Sequence, residues 1–308
     1  MNKFSIVMYH YVRPIRGSRH PRIKGLELEG FKRQLDFLSE KYTLITAEQL
    51  ISYASGSGDL PSNACYLTFD DGYKDHIEFV LPELLTRGIQ GSFFAPVDAV
   101  ENREMLDVNA IHFILSSSVD SSGLFSELNN ACKDAGYTDS DLMDFKKKWA
   151  VKARYDGAEV AYLKSMLQHA LPKEVRKEII SKLFKKYVGA HQADFADELY
   201  MSLSDVKGLV DSGMYVGSHG CKHLWLGKVD KSVQALEISN SLKFLEKIGS
   251  PTEDWIMCYP YGSYNVDTLD LLVANHCAVG LTTNVDFASL ERSKFLELSR
   301  FDTNDFPQ

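Results

Sequence analysis

The sequence predicts an α/β fold in which a parallel sheet or barrel is interrupted by a block of helices. Short apolar segments alternate with segments of helical periodicity over residues 1–104, and the same alternation returns over 201–308. Residues 105–200 lose this alternation and carry dense Lys and Glu between apolar residues at helical spacing. We therefore expect one α/β domain in two pieces, with residues 105–200 as a helical insertion.

The first piece alternates strand and helix. We predict strands at 4–12, 64–69 and 91–97, and helices at 29–42, 46–50 and 81–88. Thr46 with Gln49 three residues later is a capping-box pattern. Pro82 lies in a first helical turn, which needs no N–H at that position, and Gly88 is suited to end the helix.

The insertion and the second piece follow. Apolar residues at spacings of three and four predict several helices over 141–188. Alternation then returns, with helices predicted at 203–213 and 232–249 and strands at 214–219 and 255–262. Strands of this kind are typical of a parallel α/β sheet.

Composition excludes several classes of protein. A net charge of −8 argues against binding nucleic acid or anionic lipid by overall charge. No apolar run approaches the length of about 18 residues that a transmembrane helix needs, and the first residues resemble a strand more than a signal peptide. Scattered cysteines without a CxxC pair predict free thiols and a cytoplasmic location: Cys65, Cys132, Cys221, Cys258 and Cys277.

Two neighbouring acids, Asp70 and Asp71, follow a predicted strand in YLTFDDGYKDH. Successive side chains of a strand point in different directions, so the two carboxylates can have different roles. One could bind a metal ion while the other takes a proton from water, with Gly72 turning the backbone away. The simpler alternative is a solvated Asp-Asp-Gly turn.

Two histidines provide the partners that this pair needs. His219 and His223, in VGSHGCKH, follow another predicted strand end, and their neutral imidazole nitrogens could converge on one ion. Together with Asp71 they form a set of two histidines and one carboxylate. All three residues lie at strand ends, where α/β barrels build their sites.

The motifs TFDDGY, SHGCKH and CYPYGSYN, in this order, resemble those of the polysaccharide deacetylase family with its NodB homology domain, carbohydrate esterase family 4. The resemblance covers roughly residues 1–100 and 200–304. It implies a distorted (β/α) barrel and the removal of acetyl groups from amino sugars.

The resemblance also implies roles for individual residues. Asp70 is matched to the general base, and Asp71, His219 and His223 to the ligands of a divalent metal ion, with zinc preferred and cobalt or nickel as alternatives. The backbone N–H of Tyr261 is matched to the group that stabilises the oxyanion. A further set is expected to form the sugar-binding groove: Tyr259, Pro260, Tyr261 and Gly262.

The chain departs from the family pattern at three positions. Gly220 replaces a Ser or Thr that braces the histidine loop. Cys258 replaces the arginine that orients the base, which predicts that Asp70 lacks this partner. Arg300 replaces a histidine acid; since arginine is a poor proton donor, we expect Arg300 to bind an anionic substrate group or stabilise charge, with Asp302 holding it.

The residue that acts as the general acid is therefore not yet assigned. His10, at the end of the first predicted strand, is a candidate because it would lie at the same rim as the metal; His76 is a second candidate. Both could equally be structural histidines bonded to the backbone. The basic loop at 13–25 is expected near the same rim, where its arginines are candidates for contact with a charged sugar or a nucleotide carrier; the simpler alternative is a solvated loop.

The leading hypothesis is a metal-dependent hydrolase that removes an N-acetyl or other N-acyl group from an amino sugar during cell-surface glycan biosynthesis. In the cytoplasm, the amino sugar could be free, nucleotide-linked or lipid-linked. Removal of a formyl group or an O-acetyl ester uses the same chemistry. Two alternatives are a catalytically inactive carbohydrate-binding descendant and an iron-dependent oxygenase, which also uses two histidines and a carboxylate.

Overall fold

The computed structural model describes residues 3–118, 121–152 and 154–308, and the chain divides into two compact units. The α/β unit consists of Met1–Pro14, Gly25–Glu104 and Asp197–Gln308. The helical unit consists of Ile15–Lys24 and Met105–Ala196. The basic loop expected at the rim therefore falls largely in the helical unit.

The strands belong to the α/β unit. In chain order they are β1 Lys3–Tyr9, β2 Val12–Arg13, β3 Leu26–Glu27, β4 Thr43–Leu44, β5 Ala64–Asp70, β6 Ser92–Ala95, β7 Tyr215–Ser218, β8 Trp255–Cys258, β9 Cys277–Leu281, β10 Ala288–Ser289 and β11 Phe301–Asp302. The main sheet has the order β10-β1-β5-β6-β7-β8-β9, and its pairs from β1 to β9 are parallel. Their carboxyl ends therefore meet at one edge, where loops can combine their side chains.

The helices occur in both units. In chain order they are α1 Leu28–Lys41, α2 Ala47–Ser55, α3 Leu81–Arg87, α4 Val97–Glu101, α5 Asp107–Ser117, α6 Ser121–Asp134, α7 Asp139–Trp149, α8 Ala158–Ser165, α9 Lys173–Tyr187, α10 Gln192–Leu199, α11 Leu203–Asp211, α12 Lys231–Ile248 and α13 Val266–Ala274. No helix in the described part of the chain is long and apolar enough to cross a membrane.

The central strands are continuous apolar runs in the sequence because they lie in the core of the α/β unit. Every residue of β5 is buried, as expected for a strand covered on both faces. Phe69 of β5 stacks on Tyr9 of β1, with ring centroids 5.0 Å apart, and on Phe93 of β6, at 4.8 Å. This aromatic layer fixes β1, β5 and β6 side by side beneath the edge where the strands end.

Local signals placed several elements correctly and two strand ends wrongly. The capping box predicted at Thr46 is formed with Gln49. The strand predicted over 255–262 ends at Cys258, and a short 3-10 turn follows at Pro260–Gly262. Tyr261 has a φ of +58°, which an extended strand cannot accommodate. The predicted strand over 4–12 likewise ends at Tyr9.

The helical unit has an aromatic core of its own. Phe195 packs edge-on against Phe113, at 4.6 Å, and against Phe184, at 5.4 Å. Within this unit the basic loop makes defined contacts: Arg22 donates from Nε to the Ser116 carbonyl at 2.9 Å. These contacts hold the loop within the helical unit.

Candidate metal centre and catalytic residues

The two aspartates lie where β5 turns away from the sheet. Asp70 is the last residue of β5, and Asp71 has a φ of +72°, followed by Gly72 at +70°. A Cβ at position 72 would lie 2.6 Å from the Ala95 Cβ, so the turn requires glycine. Both carboxylates are almost fully buried, at 2% and 3% exposure. They are not the solvated turn of the simpler alternative.

Three ligand atoms meet beside this turn. His219 follows β7, His223 lies four residues later, and the Nε2 atoms of both lie 3.4 Å from Oδ1 of Asp71. An ion bound tetrahedrally through bonds of about 2.1 Å places its ligands about 3.4 Å apart. The three predicted ligands are thus brought together, and the distances from Asp71 to both histidines match those expected around a tetrahedrally bound ion such as zinc.

The ring of His219 and the carboxylate of Asp71 are each held in one orientation. Nδ1 of His219 lies 2.7 Å from the Cys258 carbonyl oxygen; because a carbonyl only accepts, Nδ1 donates and Nε2 keeps its lone pair. The Tyr73 hydroxyl donates to Oδ2 of Asp71. Oδ1 is the oxygen that faces both histidines, so the carboxylate would bind an ion through one oxygen.

The charges around these atoms also fit a cation. Burial opposes ionisation of Asp71, but the neighbouring side chains of His219 and His223 outweigh it and hold the pKa of Asp71 well below its usual range. Burial lowers the pKa of His223 and favours its neutral form. For His219, burial is outweighed by Cys258 and the two carboxylates, which raise its pKa. The negative charge around His219 favours a proton on its ring. A cation bound at this site would compensate the same negative charge.

Asp70 has an arginine partner after all. Arg300 donates from its two terminal nitrogens to Oδ1 and Oδ2 of Asp70, at 2.9 and 2.7 Å. It also donates to the Thr68 hydroxyl at 3.0 Å and to the Thr282 carbonyl at 2.8 Å. Burial raises the pKa of Asp70, but Arg300 more than compensates and lowers it to about 2, so Asp70 is ionised at neutral pH.

This pair corrects two expectations. Asp70 does not lack an arginine, because Arg300 takes over from the position now occupied by Cys258. Arg300 itself is completely buried and bonded on all sides, so it does not reach a substrate anion. Asp302 does not hold it either: its carboxylate accepts the backbone N–H of Asn304 at 2.9 Å and caps a short turn.

The histidine loop is braced without the hydroxyl that Gly220 lacks. Glu237 of α12 accepts the backbone N–H groups of Cys221 and Lys222 on one oxygen, at 2.9 and 2.8 Å. The Ser218 hydroxyl accepts the Gly220 N–H at 3.2 Å. Gly220 has a φ of +70°, so glycine is favoured there for its conformation.

The turn after β8 forms an aromatic wall next to the histidines. Tyr261 contacts His223 edge-on, with ring centroids 4.6 Å apart. On its other side it stacks on Trp225, at 4.3 Å and nearly parallel. Non-glycine residues with positive φ are costly, and three of them meet here: Asp71, His223 and Tyr261. This concentration of strain is typical of a functional site.

The other predicted groove residues have different surroundings. Tyr259 is completely buried and donates its hydroxyl to the Leu296 carbonyl at 2.7 Å, so it cannot wall a groove. Pro260 is also buried. Gly262 has a φ of +65°, and a Cβ there would lie 2.3 Å from the Thr283 hydroxyl oxygen, which explains the glycine structurally. Of this set, Tyr261 remains the candidate for substrate contact.

The candidate general acids differ in accessibility. His10 follows β1 at the site edge, is partly exposed, and lies close enough to influence the charges of both Asp70 and Asp71. His76 is completely buried, places Nε2 3.1 Å from the His10 carbonyl, and has a pKa lowered to about 4 by burial. His76 fits a structural role.

A segment that the motifs do not contain clamps the aspartate turn. The N–H of Met201 donates to the Gly72 carbonyl at 3.0 Å, and the N–H of Lys74 donates to the Leu199 carbonyl at 2.8 Å. Arg103 donates to the carbonyls of Tyr200 and Met201, at 3.2 and 3.1 Å. Residues 199–201 therefore support the turn that carries Asp71.

Sequence reasoning missed the supporting residues of both motifs. Arg300 was noticed, but for a different role, whereas Glu237, Tyr73 and Trp225 were not singled out. Tyr73 lies next to the aspartates in TFDDGY and could have been found there. Glu237 has no signal beyond its place in an otherwise amphipathic helix.

Comparison with known proteins finds a likeness to one family over part of the chain. Residues 172–279 match the family model described as polysaccharide deacetylase, a range that includes the histidine loop and the Tyr261 turn but not the aspartates. No curated protein sequence matches the chain.

Several solved structures are similar over nearly the whole chain. The Streptococcus pyogenes deacetylase PplD, solved with acetate, shares 17% identity and a TM-score of 0.57, with 97% of this chain and 92% of that chain covered. IcaB from Ammonifex degensii shares 17% identity and a TM-score of 0.54, covering 92% and 85%. The BpsB deacetylase domain from Bordetella bronchiseptica shares 13% identity and a TM-score of 0.55, covering 98% and 96%.

These likenesses establish the fold. The predicted α/β class, a distorted (β/α) barrel with additional helices, is confirmed. The roles of individual residues rest on the geometry described above.

Proposed function

We propose that this chain belongs to the polysaccharide deacetylase family, whose model matches residues 172–279, and that it is a metal-dependent hydrolase that removes an N-acetyl or other N-acyl group from an amino sugar. One observation carries the proposal: Oδ1 of buried Asp71 faces two histidine Nε2 atoms at 3.4 Å, directly beside an ionised carboxylate, Asp70. Carbohydrate deacetylation is the activity of the family, and a divalent ion is the group that these ligands suit.

The ion, zinc in first place with cobalt or nickel as alternatives, would be held by Asp71, His219 and His223. When bound, it supplies Lewis-acid polarisation of the acyl carbonyl and lowers the pKa of water. Asp70 takes the proton from the attacking water, because it is ionised and lies next to the ligand set. Arg300 acts as a positioning residue: its two hydrogen bonds fix the carboxylate and keep it charged.

The oxyanion and the leaving amine need two further groups. We assign the backbone N–H of Tyr261 to the oxyanion, because its turn lies against His223. Since Arg300 is buried against Asp70, it cannot protonate the amine. His10 is our candidate for that role, as it is the partly exposed histidine at this edge near both aspartates.

The substrate we propose is an amino sugar of a glycan or glycan precursor, either free, nucleotide-linked or lipid-linked. A cytoplasmic location remains part of the proposal and rests on the five free cysteines, which suit a reducing compartment.

Metal content and acetate release test this function together. Purified protein should bind about one zinc ion per chain, with the ion lost in His219→Ala and retained in Asp70→Asn and in His276→Ala, whose histidine is exposed. Acetate release from N-acetylated amino sugars should fall about 10²- to 10⁴-fold in Asp70→Asn.

Two outcomes would contradict the proposal. Failure to bind zinc, cobalt or nickel would favour the inactive carbohydrate-binding alternative. Oxygen consumption on addition of ferrous ion, without acetate release, would favour the oxygenase.

A further inference from the structure

Charge is distributed unequally between the two units. The helical unit has 17 Lys and Arg against 12 Asp and Glu, a formal charge of +5. The α/β unit has 17 against 30, a formal charge of −13. Although the whole chain has a net charge of −8, its helical unit is basic. The argument that overall charge disfavours binding to anionic lipid therefore does not apply to the surface of this unit.

One segment of the helical unit is densely basic. Residues 146–155, KKKWAVKARY, contain five Lys and Arg and no carboxylate. We call its described residues, 146–152, 154 and 155, the basic strip; they comprise the last turn of α7 and residues that follow it. Its five cationic side chains are exposed: Lys146, Lys147, Lys148, Lys152 and Arg154.

Apolar side chains are exposed within and beside the basic strip. Val151 is 63% exposed and Tyr155 48%, while Met143, one turn earlier on α7, is 60% exposed. Lys148 places Nζ 4.7 Å from the Trp149 ring centroid, and Arg154 places Cζ 4.9 Å from that of Tyr155. The basic strip and Met143 therefore combine exposed cations with exposed apolar groups within one short stretch of the chain.

We propose that the basic strip, with Met143, binds the surface of an anionic lipid bilayer. Lipid headgroups attract the five cations, and the interface below them accepts the apolar and aromatic side chains. A nucleic acid or an anionic glycan would neutralise the cations but would leave Val151 and Met143 in water. The exposed apolar groups therefore favour a bilayer. This surface is independent of the proposed deacetylase function.

Vesicle sedimentation tests the surface on the full-length protein. The protein should sediment with phosphatidylcholine vesicles that contain about one-third phosphatidylglycerol and remain in solution with pure phosphatidylcholine, because each Lys or Arg near an anionic surface contributes about fivefold in affinity. Changing all five cations of the basic strip to Gln should lower the affinity more than about 100-fold.

A matched control removes the same charge elsewhere in the helical unit. Five lysines of α9 are changed to Gln: Lys173, Lys177, Lys182, Lys185 and Lys186. This variant should retain most of the binding. Val151→Ser with Tyr155→Ser should weaken binding and make the remainder more sensitive to salt. Circular dichroism checks that each variant is folded.

Three results would overturn the proposal. The first is wild-type protein that does not sediment with anionic vesicles. The second is an α9 control that loses as much binding as the strip variant. The third is binding to an anionic polysaccharide or nucleic acid but to no vesicles. The second result would show diffuse electrostatic attraction, and the third would replace the bilayer by a polyanion.

Discussion

The aspartate turn, residues 70–73, and the histidine loop, residues 218–223, are built alike but supported differently. Each follows a parallel strand, and each places a metal-ligand candidate in the left-handed region, Asp71 at a φ of +72° and His223 at +53°. In the aspartate turn, Arg300 and Tyr73 bond to the carboxylates themselves. In the histidine loop, the main supports bond to the backbone.

This difference has a physical consequence. A partner of a carboxylate changes its charge and its direction, so its loss should alter the chemistry of the site. A partner of the backbone changes only how firmly the loop is held, so its loss should weaken metal binding and folding. Variants of Arg300, Tyr73, Glu237 and Gly220 test this contrast in descending order of effect.

Removing the Arg300 guanidinium should have the largest effect. Arg300→Met leaves Asp70 buried without its partner, which should cost about 3–5 kcal/mol of unfolding free energy and lower turnover about 100-fold or more while metal is retained. Denaturant unfolding and metal analysis measure both. The double variant Asp70→Asn with Arg300→Met should be more stable than Arg300→Met, since it leaves no buried charge.

The stability difference between wild type and Arg300→Met should also depend on pH. The pKa of Asp70 is about 2 in the folded wild type, below its ordinary value, so its stabilising contribution is present above about pH 4 and is lost as the pH falls through 2. In the variant, burial is no longer opposed by Arg300 and disfavours the ionised carboxylate. The difference in unfolding free energy between wild type and Arg300→Met should therefore be smaller at pH 4 than at pH 7. An equal difference at both pH values would contradict the ion pair between Asp70 and Arg300.

Removing the Tyr73 hydroxyl should mainly lower the affinity for the metal ion. Tyr73→Phe keeps the ring stacked on Tyr11, at 4.2 Å, but releases Oδ2 of Asp71, so zinc affinity should fall about 10- to 100-fold. Competition with a chelator measures the affinity. Tyr9→Phe removes another buried tyrosine hydroxyl, one without a hydrogen-bond partner in the described structure, and should leave affinity unchanged.

Removing the brace of the histidine loop should have a smaller effect on turnover. Glu237→Ala leaves the N–H groups of Cys221 and Lys222 without their acceptor, at a cost of about 1–3 kcal/mol in stability and about tenfold in zinc affinity. Turnover at saturating zinc should stay within about threefold of wild type. Glu246→Ala, an exposed change on the same helix, is the control. A large loss of turnover at saturating zinc would contradict the expectation that a partner of the backbone affects only how firmly the loop is held.

The smallest effect is expected at Gly220. Its φ of +70° disfavours a side chain, so Gly220→Ala should lower the unfolding free energy by about 1 kcal/mol. A Cβ there would lie 3.2 Å from the Glu237 carboxylate, so a modest loss of zinc affinity should accompany it. Stabilisation by the substitution would show that the loop adopts another conformation.

The aspartates and histidines were predictable because they lie in short motifs at strand ends. Parallel strands bring their carboxyl ends together, so alternation of strand and helix was enough to place Asp71, His219 and His223 near one another. The Tyr261 turn was assigned to a strand, because a short apolar and aromatic run does not reveal a single residue of positive φ. Tyr259 was misassigned for the same reason: the sequence does not show which tyrosine of YPY faces the core.

By itself, the sequence determined the α/β class, and it predicted the ligand set and the division of roles between Asp70 and Asp71, since these depend on local pattern and residue type. Only the tertiary structure decided that Arg300 replaces the missing arginine and that Glu237 replaces the missing hydroxyl. These depend on contacts between residues far apart in the chain. A side chain can be supplied from any position that the fold brings close, and no spacing rule encodes that.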